Sequence, residues 1–242
     1  MKHVNSRHGA ASGAGQRTAN NFALLRRATA TCITVVLLAG LPSYGTADIS
    51  IVVVDRDGHG VSEVAVTAMP AAPATGPSTA PKSAVMDQRH RAFVPLVLVV
   101  GVGTSVEFPN NDSVSHQVYS FSPAKRFQLP LYKGEAHSSV TFDRPGLVVL
   151  GCNIHDEMVG YIYVTDAVYF GTTDANGGLQ FKNPAGGDYR IAIWSPFIVD
   201  APASLVRTIH VAAYEPASAR IQLSLPLRAL PEPRPRRRDW EY

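Results

Sequence analysis

Short runs that are rich in β-branched, aromatic and other apolar side chains recur along nearly the whole chain after residue 48. Runs of this kind, bounded by turn residues, indicate strands. The turn signals between them include DRDGHG (55–60), PNND (109–112) and DANGG (174–178). No stretch has a convincing 3.6-residue apolar period, so the pattern predicts an all-β, sandwich-like fold. The predicted strands are 49–55, 63–69, 95–100, 104–108, 116–121, 138–142, 147–150, 160–164, 178–181, 188–194, 206–213 and 219–225.

The first 47 residues have the pattern of a secretory signal peptide rather than of a folded segment. Five basic residues and no acidic residue precede an apolar run at 28–42, which is too short to span a bilayer comfortably. Small residues follow at Gly45 and Ala47, and we expect cleavage after Ala47. An uncleaved N-terminal anchor is the alternative, and no later apolar run is long enough to cross a membrane. The chain is therefore expected in the periplasm.

The net charge of +3 comes mainly from this leading segment. It holds five of the 22 basic residues, which leaves 17 bases against 19 acidic residues in the remainder. The remainder also has no basic patch interleaved with aromatic residues, the usual footprint of nucleic-acid binding. We therefore expect no nucleic-acid partner.

The composition divides the remaining chain into five parts. Residues 70–84 are rich in Pro, Ala, Ser and Thr and are expected to be an extended linker. Residues 230–242 cluster arginines among prolines, which predicts a disordered basic tail; a docking role for that tail is the alternative. The other three parts are 48–69, 85–166 and 167–229.

The first and last of these three parts share a pattern of strand, glycine-containing turn and strand. It is seen in ISIVVVDRDGHGVSEVAVTAMP (49–70) and in TTDANGGLQFKNPAGGDYRIAIW (172–194). Together these stretches resemble the front and back of a carboxypeptidase-regulatory-type β-sandwich, into which 85–166 would be inserted. This resemblance implies that 49–55 and 188–194 share one sheet.

One cysteine, Cys152, remains after the predicted cleavage, so no intrachain disulfide is available to it. It belongs to the sequence CNIHDEM, in which Cys152, His155 and Met158 follow one another at intervals of three residues. A thiolate, two imidazoles and a weak axial thioether are the ligands of blue-copper electron-transfer sites. The second imidazole must come from elsewhere, and the candidates are His59, His90, His116, His137 and His210. We expect His116, because it begins a predicted strand directly after a polar turn.

The region from about Met86 to Asp166 resembles the plastocyanin and amicyanin branch of the cupredoxins. The resemblance is carried by FPNNDSVSHQV (108–118) and by the short Cys-x-x-His-x-x-Met spacing, and it extends to plastocyanin-like proteins labelled methylamine utilisation proteins. It implies a Greek-key cupredoxin sandwich that binds one copper ion through His116, Cys152, His155 and Met158. It also implies that Asn111 braces the ligand loops by hydrogen bonds and that His155 is the solvent-side ligand.

The function that these residues and this resemblance predict is single-electron transfer to and from a redox partner protein by a type 1 copper site. Two alternatives stay open: copper storage or delivery with the same ligands, and a non-metal adhesion or carbohydrate-binding sandwich that uses Tyr161, Tyr163 and Trp194. An enzyme is not expected. The chain has no His-x-His pair, which multicopper oxidases and copper nitrite reductases typically carry, and no Cys-x-x-Cys-His haem motif.

Overall fold

The computed structural model describes residues 48–72, 81–134, 139–182, 184–198, 205–213, 215–223 and 227–228. These residues form seventeen strands and no helix, which confirms the predicted all-β class. It follows that no described helix is long and apolar enough to cross a membrane. The predicted signal peptide, the basic tail, most of the 70–84 linker and His137 lie outside the described residues.

The strands are β1 (Ile49–Val54), β2 (Ala65–Pro70), β3 (Ser83–Val85), β4 (Asp87–Arg89), β5 (Ala92–Val94), β6 (Val97–Gly101), β7 (Thr104–Glu107), β8 (Tyr119–Ser122), β9 (Lys125–Gln128), β10 (Val140–Phe142), β11 (Gly146–Cys152), β12 (His155–Thr165), β13 (Tyr169–Thr172), β14 (Gly178–Phe181), β15 (Gly187–Trp194), β16 (Leu205–Val211) and β17 (Ala217–Gln222).

The middle of the chain forms a first sandwich, the central sandwich. One sheet has the strand order β6-β12-β11-β8-β9, and the other has the order β10-β7-β3. The hairpin β4-β5 lies beside them. Alternate residues of each strand point to a single shared core, as period-two alternation requires. Large buried side chains of that core include Met86, Phe93, Phe108, Phe142, Leu150 and Ile162.

The two flanks of the chain form a second sandwich, the flanking sandwich. Its sheets have the strand orders β14-β1-β17 and β13-β2-β15-β16. The predicted sharing of one sheet by 49–55 and 188–194 is wrong, since β1 and β15 lie in different sheets. They still contribute to one core, because Ile49 and Ile51 of β1 and Ile191 and Ile193 of β15 are buried in the same cluster. Alternation identifies the buried face of a strand but not its hydrogen-bonded neighbour.

The two sandwiches meet at a third, smaller apolar cluster. Val97 and Val99 of β6 are buried there with Ala65 of β2. The rings of Tyr161 and Tyr163 on β12 pack against Trp194 of β15, with centroids 5.5 and 5.9 Å apart. These three aromatic residues therefore pack on one another at the joint and do not form an open platform of the kind that a carbohydrate-binding surface would need.

Candidate metal centre

Three of the four predicted ligands bring a donor atom to one point at the end of the central sandwich. The Nδ1 atoms of His116 and His155 are 3.1 Å apart. The Sγ atom of Cys152 is 3.8 Å from each of these nitrogens. The three atoms thus form a nearly isosceles triangle that a single ion could occupy.

Cys152 and His155 are held by a tight hairpin rather than by an open loop. Strand β11 runs to Cys152 and β12 begins at His155, with the two residues paired across the turn. The pairing register shifts at Gly151 and Cys152, and such an irregularity re-aims the side chain that follows it. The predicted strand 160–164 is therefore too short at its start, since β12 also contains His155 and Met158.

His116 reaches the same point from a different part of the chain. It lies before β8 and forms an isolated antiparallel bridge with Tyr132, in which each backbone N–H donates to the other residue's carbonyl. The predicted strand 116–121 is thus shorter in the structure, where β8 starts at Tyr119. Burial raises the pKa of the Tyr132 phenol to about 12, so this bracing residue stays protonated.

Three of the four predicted ligands are shielded from water. His116, Cys152 and Met158 are buried, whereas His155 is partly exposed. Met158 belongs to the same core cluster as Cys152. The position of His155 agrees with its predicted place on the solvent side.

Asp112 holds the ring of His116 from the side opposite the other donors. Its Oδ2 accepts a hydrogen bond from Nε2 of His116 at 2.9 Å and another from the backbone N–H of Arg91 at 2.7 Å. Its Oδ1 accepts from the N–H of Ser113 at 2.7 Å. Burial raises the pKa of the Asp112 carboxyl, but these hydrogen bonds outweigh burial and lower it to about 2. An ionised carboxylate can only accept, so Nε2 carries the proton of neutral His116 and Nδ1 offers a lone pair.

His155 is also held in the form that binds metals. Burial lowers the pKa of its imidazole first, and the positive charge of nearby Arg91 lowers it further, against the opposing effect of Glu157 and Asp112. The ring is therefore neutral at pH 7, and a neutral imidazole nitrogen is the form that coordinates metal ions.

The asparagine that braces the histidine segment is Asn110, and the prediction of Asn111 is corrected on this point. Nδ2 of Asn110 donates to the carbonyls of Val114 and Tyr132, and Oδ1 accepts from the N–H of Asp112. Nδ2 of Asn111 instead donates to both carboxylate oxygens of Asp87 on β4. Both residues stand in one Asn-Asn-Asp turn, and a sequence alone cannot tell which of the two points inward.

The donor set fits a copper ion. Bonds of about 2.0 Å to imidazole nitrogen and about 2.3 Å to thiolate sulfur are usual for metals of this size. The distances among the three donor atoms would let His116, Cys152 and His155 hold one such ion together. A His₂Cys set with a methionine in the same buried cluster is typical of blue copper, whereas zinc sites are built from cysteine, histidine and carboxylate ligands.

The other histidines that the structure describes lie apart from this centre. His59 is exposed beside Asp55, and His210 is exposed beside Asp188. His90 is exposed in the turn between β4 and β5. A second group of candidate metal ligands, Asp55, Asp57 and His59, lies in the first turn of the flanking sandwich. There Oδ1 of Asp55 accepts backbone hydrogen bonds from Asp57 and His59 and shapes the turn.

The sequence matches no protein-family model and no curated protein. Solved structures that resemble the chain include a purple cupredoxin from Nitrosopumilus maritimus, 24% identical with a TM-score of 0.31, covering 35% of this chain and 100% of that one. They also include a reduced tryptophan-to-tyrosine mutant of amicyanin, 23% identical with a TM-score of 0.33, covering 41% of this chain and 99% of that one. A Cu-containing nitrite reductase from Thermus scotoductus SA-01 is 27% identical with a TM-score of 0.33, covering 40% of this chain and 25% of that one.

These likenesses agree with the predicted resemblance to cupredoxins and do not bear on the methylamine utilisation label. Because the TM-scores are below 0.5, the assignment of the centre rests on the donor atoms of this chain. The expectation that the protein is not an enzyme is corrected, because a nitrite reductase is among the similar structures.

Proposed function

We propose that the protein binds one copper ion as a type 1 centre and transfers single electrons. The observation that carries this proposal is the triangle of His116 Nδ1, His155 Nδ1 and Cys152 Sγ, with sides of 3.1, 3.8 and 3.8 Å. Bound copper would supply the one-electron Cu(II)/Cu(I) couple. Met158, buried in the cluster that contains Cys152, is the residue that would supply the weak thioether donor.

The surroundings of the donors suit a centre that changes charge without changing shape. Cys152 and His155 close a paired hairpin, and His116 is fixed by two backbone hydrogen bonds to Tyr132 and by the Asp112 carboxylate. Rigid supports of this kind keep the donor atoms in place when the metal is absent or changes its oxidation state. The burial of His116 and Cys152 also favours retention of the metal over its rapid exchange, which argues against copper delivery.

The partly exposed His155 is the donor through which an electron would enter or leave. Exposed Ile154, Asp156 and Glu157 lie next to it, so the redox partner would meet a surface of mixed apolar and acidic character. We further propose that this partner is a protein met in the periplasm. Support for that location is the export pattern of residues 1–47.

A visible spectrum tests the proposal. Metal-free, reduced protein receives one equivalent of Cu(II), and we expect an intense blue thiolate-to-copper charge-transfer band. The Cys152→Ser variant should lose this band, because the thiolate is its source. The His210→Gln variant changes an exposed histidine outside the centre and should keep it. A colourless wild-type solution, or a band that survives in Cys152→Ser, would refute the type 1 assignment.

A further inference from the structure

The carboxylate of Asp112 lies one imidazole ring away from the proposed metal position. Its Oδ2 is 2.9 Å from Nε2 of His116, while Nδ1 of the same ring points to Cys152 and His155. The side chains of Asp112 and His116 are 9% and 0% exposed. The contact is therefore almost fully shielded from water, and its charge is weakly screened.

No lysine or arginine side chain that the structure describes forms an ion pair with this carboxylate. Among the described residues, the ion pair of Asp112 is with His116 alone. Its other hydrogen bonds come from backbone N–H groups, those of Arg91 and Ser113. Arg91 has a left-handed backbone with φ of 59°, so the turn between β4 and β5 presents its N–H, rather than its guanidinium, to the carboxylate.

From this arrangement we propose that Asp112 is a positioning residue with two effects, an inference that rests on the proposed function. First, it fixes the proton of His116 on Nε2 and so directs Nδ1 to the metal. Second, its charge lowers the reduction potential of the centre. A nearby negative charge stabilises Cu(II) more than Cu(I), because the Coulomb energy grows with the charge of the ion. A hydrogen bond from the ring to a carboxylate also makes Nδ1 a stronger donor.

Two substitutions of Asp112 separate the charge from the hydrogen bond. Asp112→Asn keeps an oxygen that can accept from Nε2 but removes the charge. Asp112→Ala removes both. The matched control is Asp143→Asn, which neutralises a carboxylate that is 61% exposed, contacts Lys125 and lies outside the centre. Each protein is loaded with copper and titrated with redox mediators at pH 7, and the charge-transfer band reports the oxidised fraction.

We expect Asp112→Asn to keep the blue band. At the same applied potential, its ratio of Cu(I) to Cu(II) should be at least tenfold higher than that of the wild type. For one electron, tenfold is a rise of about 59 mV in the midpoint potential. Asp143→Asn should leave the potential unchanged, because exposed charges are screened by solvent and salt. An Asp112→Asn protein with an intact band and an unshifted or lower potential would overturn the effect on potential.

A second measurement does not require copper. Nitrogen-15 NMR of the metal-free protein reports which nitrogen of His116 carries the proton. We expect Nε2–H in the wild type and in Asp112→Asn, and a mixture of tautomers in Asp112→Ala. If Asp112→Ala keeps pure Nε2–H, the positioning role is refuted. If the wild-type protein forms no blue band, the proposed function fails and the effect on potential fails with it, whereas the tautomer still decides the positioning role.

Discussion

Asn110 is the residue on which the geometry of the histidine segment most depends. It is buried, and its side-chain amide makes three hydrogen bonds, to Val114, Tyr132 and Asp112. One of these bonds goes to the carbonyl of Tyr132, the residue whose backbone pairs with His116. Another comes from the N–H of Asp112, whose carboxylate holds the His116 ring. Asn111, its neighbour, is exposed and bonds only the Asp87 carboxylate among the described residues.

Replacing each of these asparagines by alanine should therefore have unequal effects. We expect Asn110→Ala to lower the free energy of unfolding of the metal-free protein by about 3 kcal/mol, since each buried polar group left without a partner costs about 1–3 kcal/mol. Asn111→Ala should cost about 1 kcal/mol or less, because the Asp87 carboxylate keeps its bonds to Arg89 and Gln88. Urea titrations measure both values. Equal losses, or a larger loss in Asn111→Ala, would show that Asn110 is not the brace.

At the scale of elements, the hairpin β4-β5 packs against β12, and a glycine permits the close approach. A Cβ atom at Gly160 of β12 would lie 2.7 Å from Cβ of Phe93 on β5. Phe93 is buried and its Cβ is tied to the backbone, so it cannot move aside cheaply. The same hairpin supplies the Arg91 N–H that binds Asp112. Gly160 thus allows β5 to pack closely on β12, in a position from which the preceding turn donates the Arg91 N–H to Asp112.

Two glycines of the β11-β12 hairpin allow a matched test of this packing. We expect Gly160→Ala to destabilise the protein by about 1–3 kcal/mol, the usual cost of overpacking a filled core. Gly151→Ala would also bring a Cβ close to an aromatic ring, 2.7 Å from Cζ of Tyr119. That atom is the far end of a partly exposed side chain, so Tyr119 can swing away and the cost should be smaller. Thermal unfolding compares the two variants, and a cost for Gly151→Ala that matches or exceeds that of Gly160→Ala would contradict this account.

At the scale of the whole molecule, the residues that the structure describes form two hydrophobic cores and one joint between them. The joint is held by the aromatic packing of Trp194 on Tyr161 and Tyr163 and by two hydrogen bonds to Val97. The backbone N–H of Val97 donates to Oε2 of Glu63, and its carbonyl accepts from Oγ1 of Thr172. The strands β6 and β12 belong to the central sandwich, so contacts at the joint can couple the unfolding of its core to the unfolding of the flanking sandwich.

Loss of the Trp194 ring should uncouple the two sandwiches. We expect Trp194→Ala to lower stability by about 2–4 kcal/mol, somewhat below the range for a fully buried tryptophan, and to split one calorimetric unfolding transition into two. Trp194→Phe keeps an aromatic surface and should unfold in one step. The copper band should be unchanged in both, because Trp194 packs on the joint and not on the metal centre. A single, unshifted transition in Trp194→Ala would mean that the joint does not couple the cores.

Much of the centre could be predicted because its chemistry is local in sequence. Cys152, His155 and Met158 lie within seven residues, and a β-hairpin is the structure that strand signals on both sides favour. Asp112 was missed although it lies four residues before His116. The spacing of four residues was a possible signal. However, Asp is common in turns, where its side chain bonds the backbone, so a role at the metal centre could not be distinguished from a role in the turn.

The sequence by itself determined the all-β class and the ligand-bearing hairpin, since alternation and residue chemistry act over a few neighbouring positions. Only the tertiary structure decided that His116 faces Cys152 across 36 residues of chain, that Asn110 rather than Asn111 points inward, and that β1 and β15 lie in opposite sheets. The physical reason is the same in each case. A strand's pattern specifies which face it buries, whereas its partner is set by how all the buried faces and buried polar groups can be satisfied together.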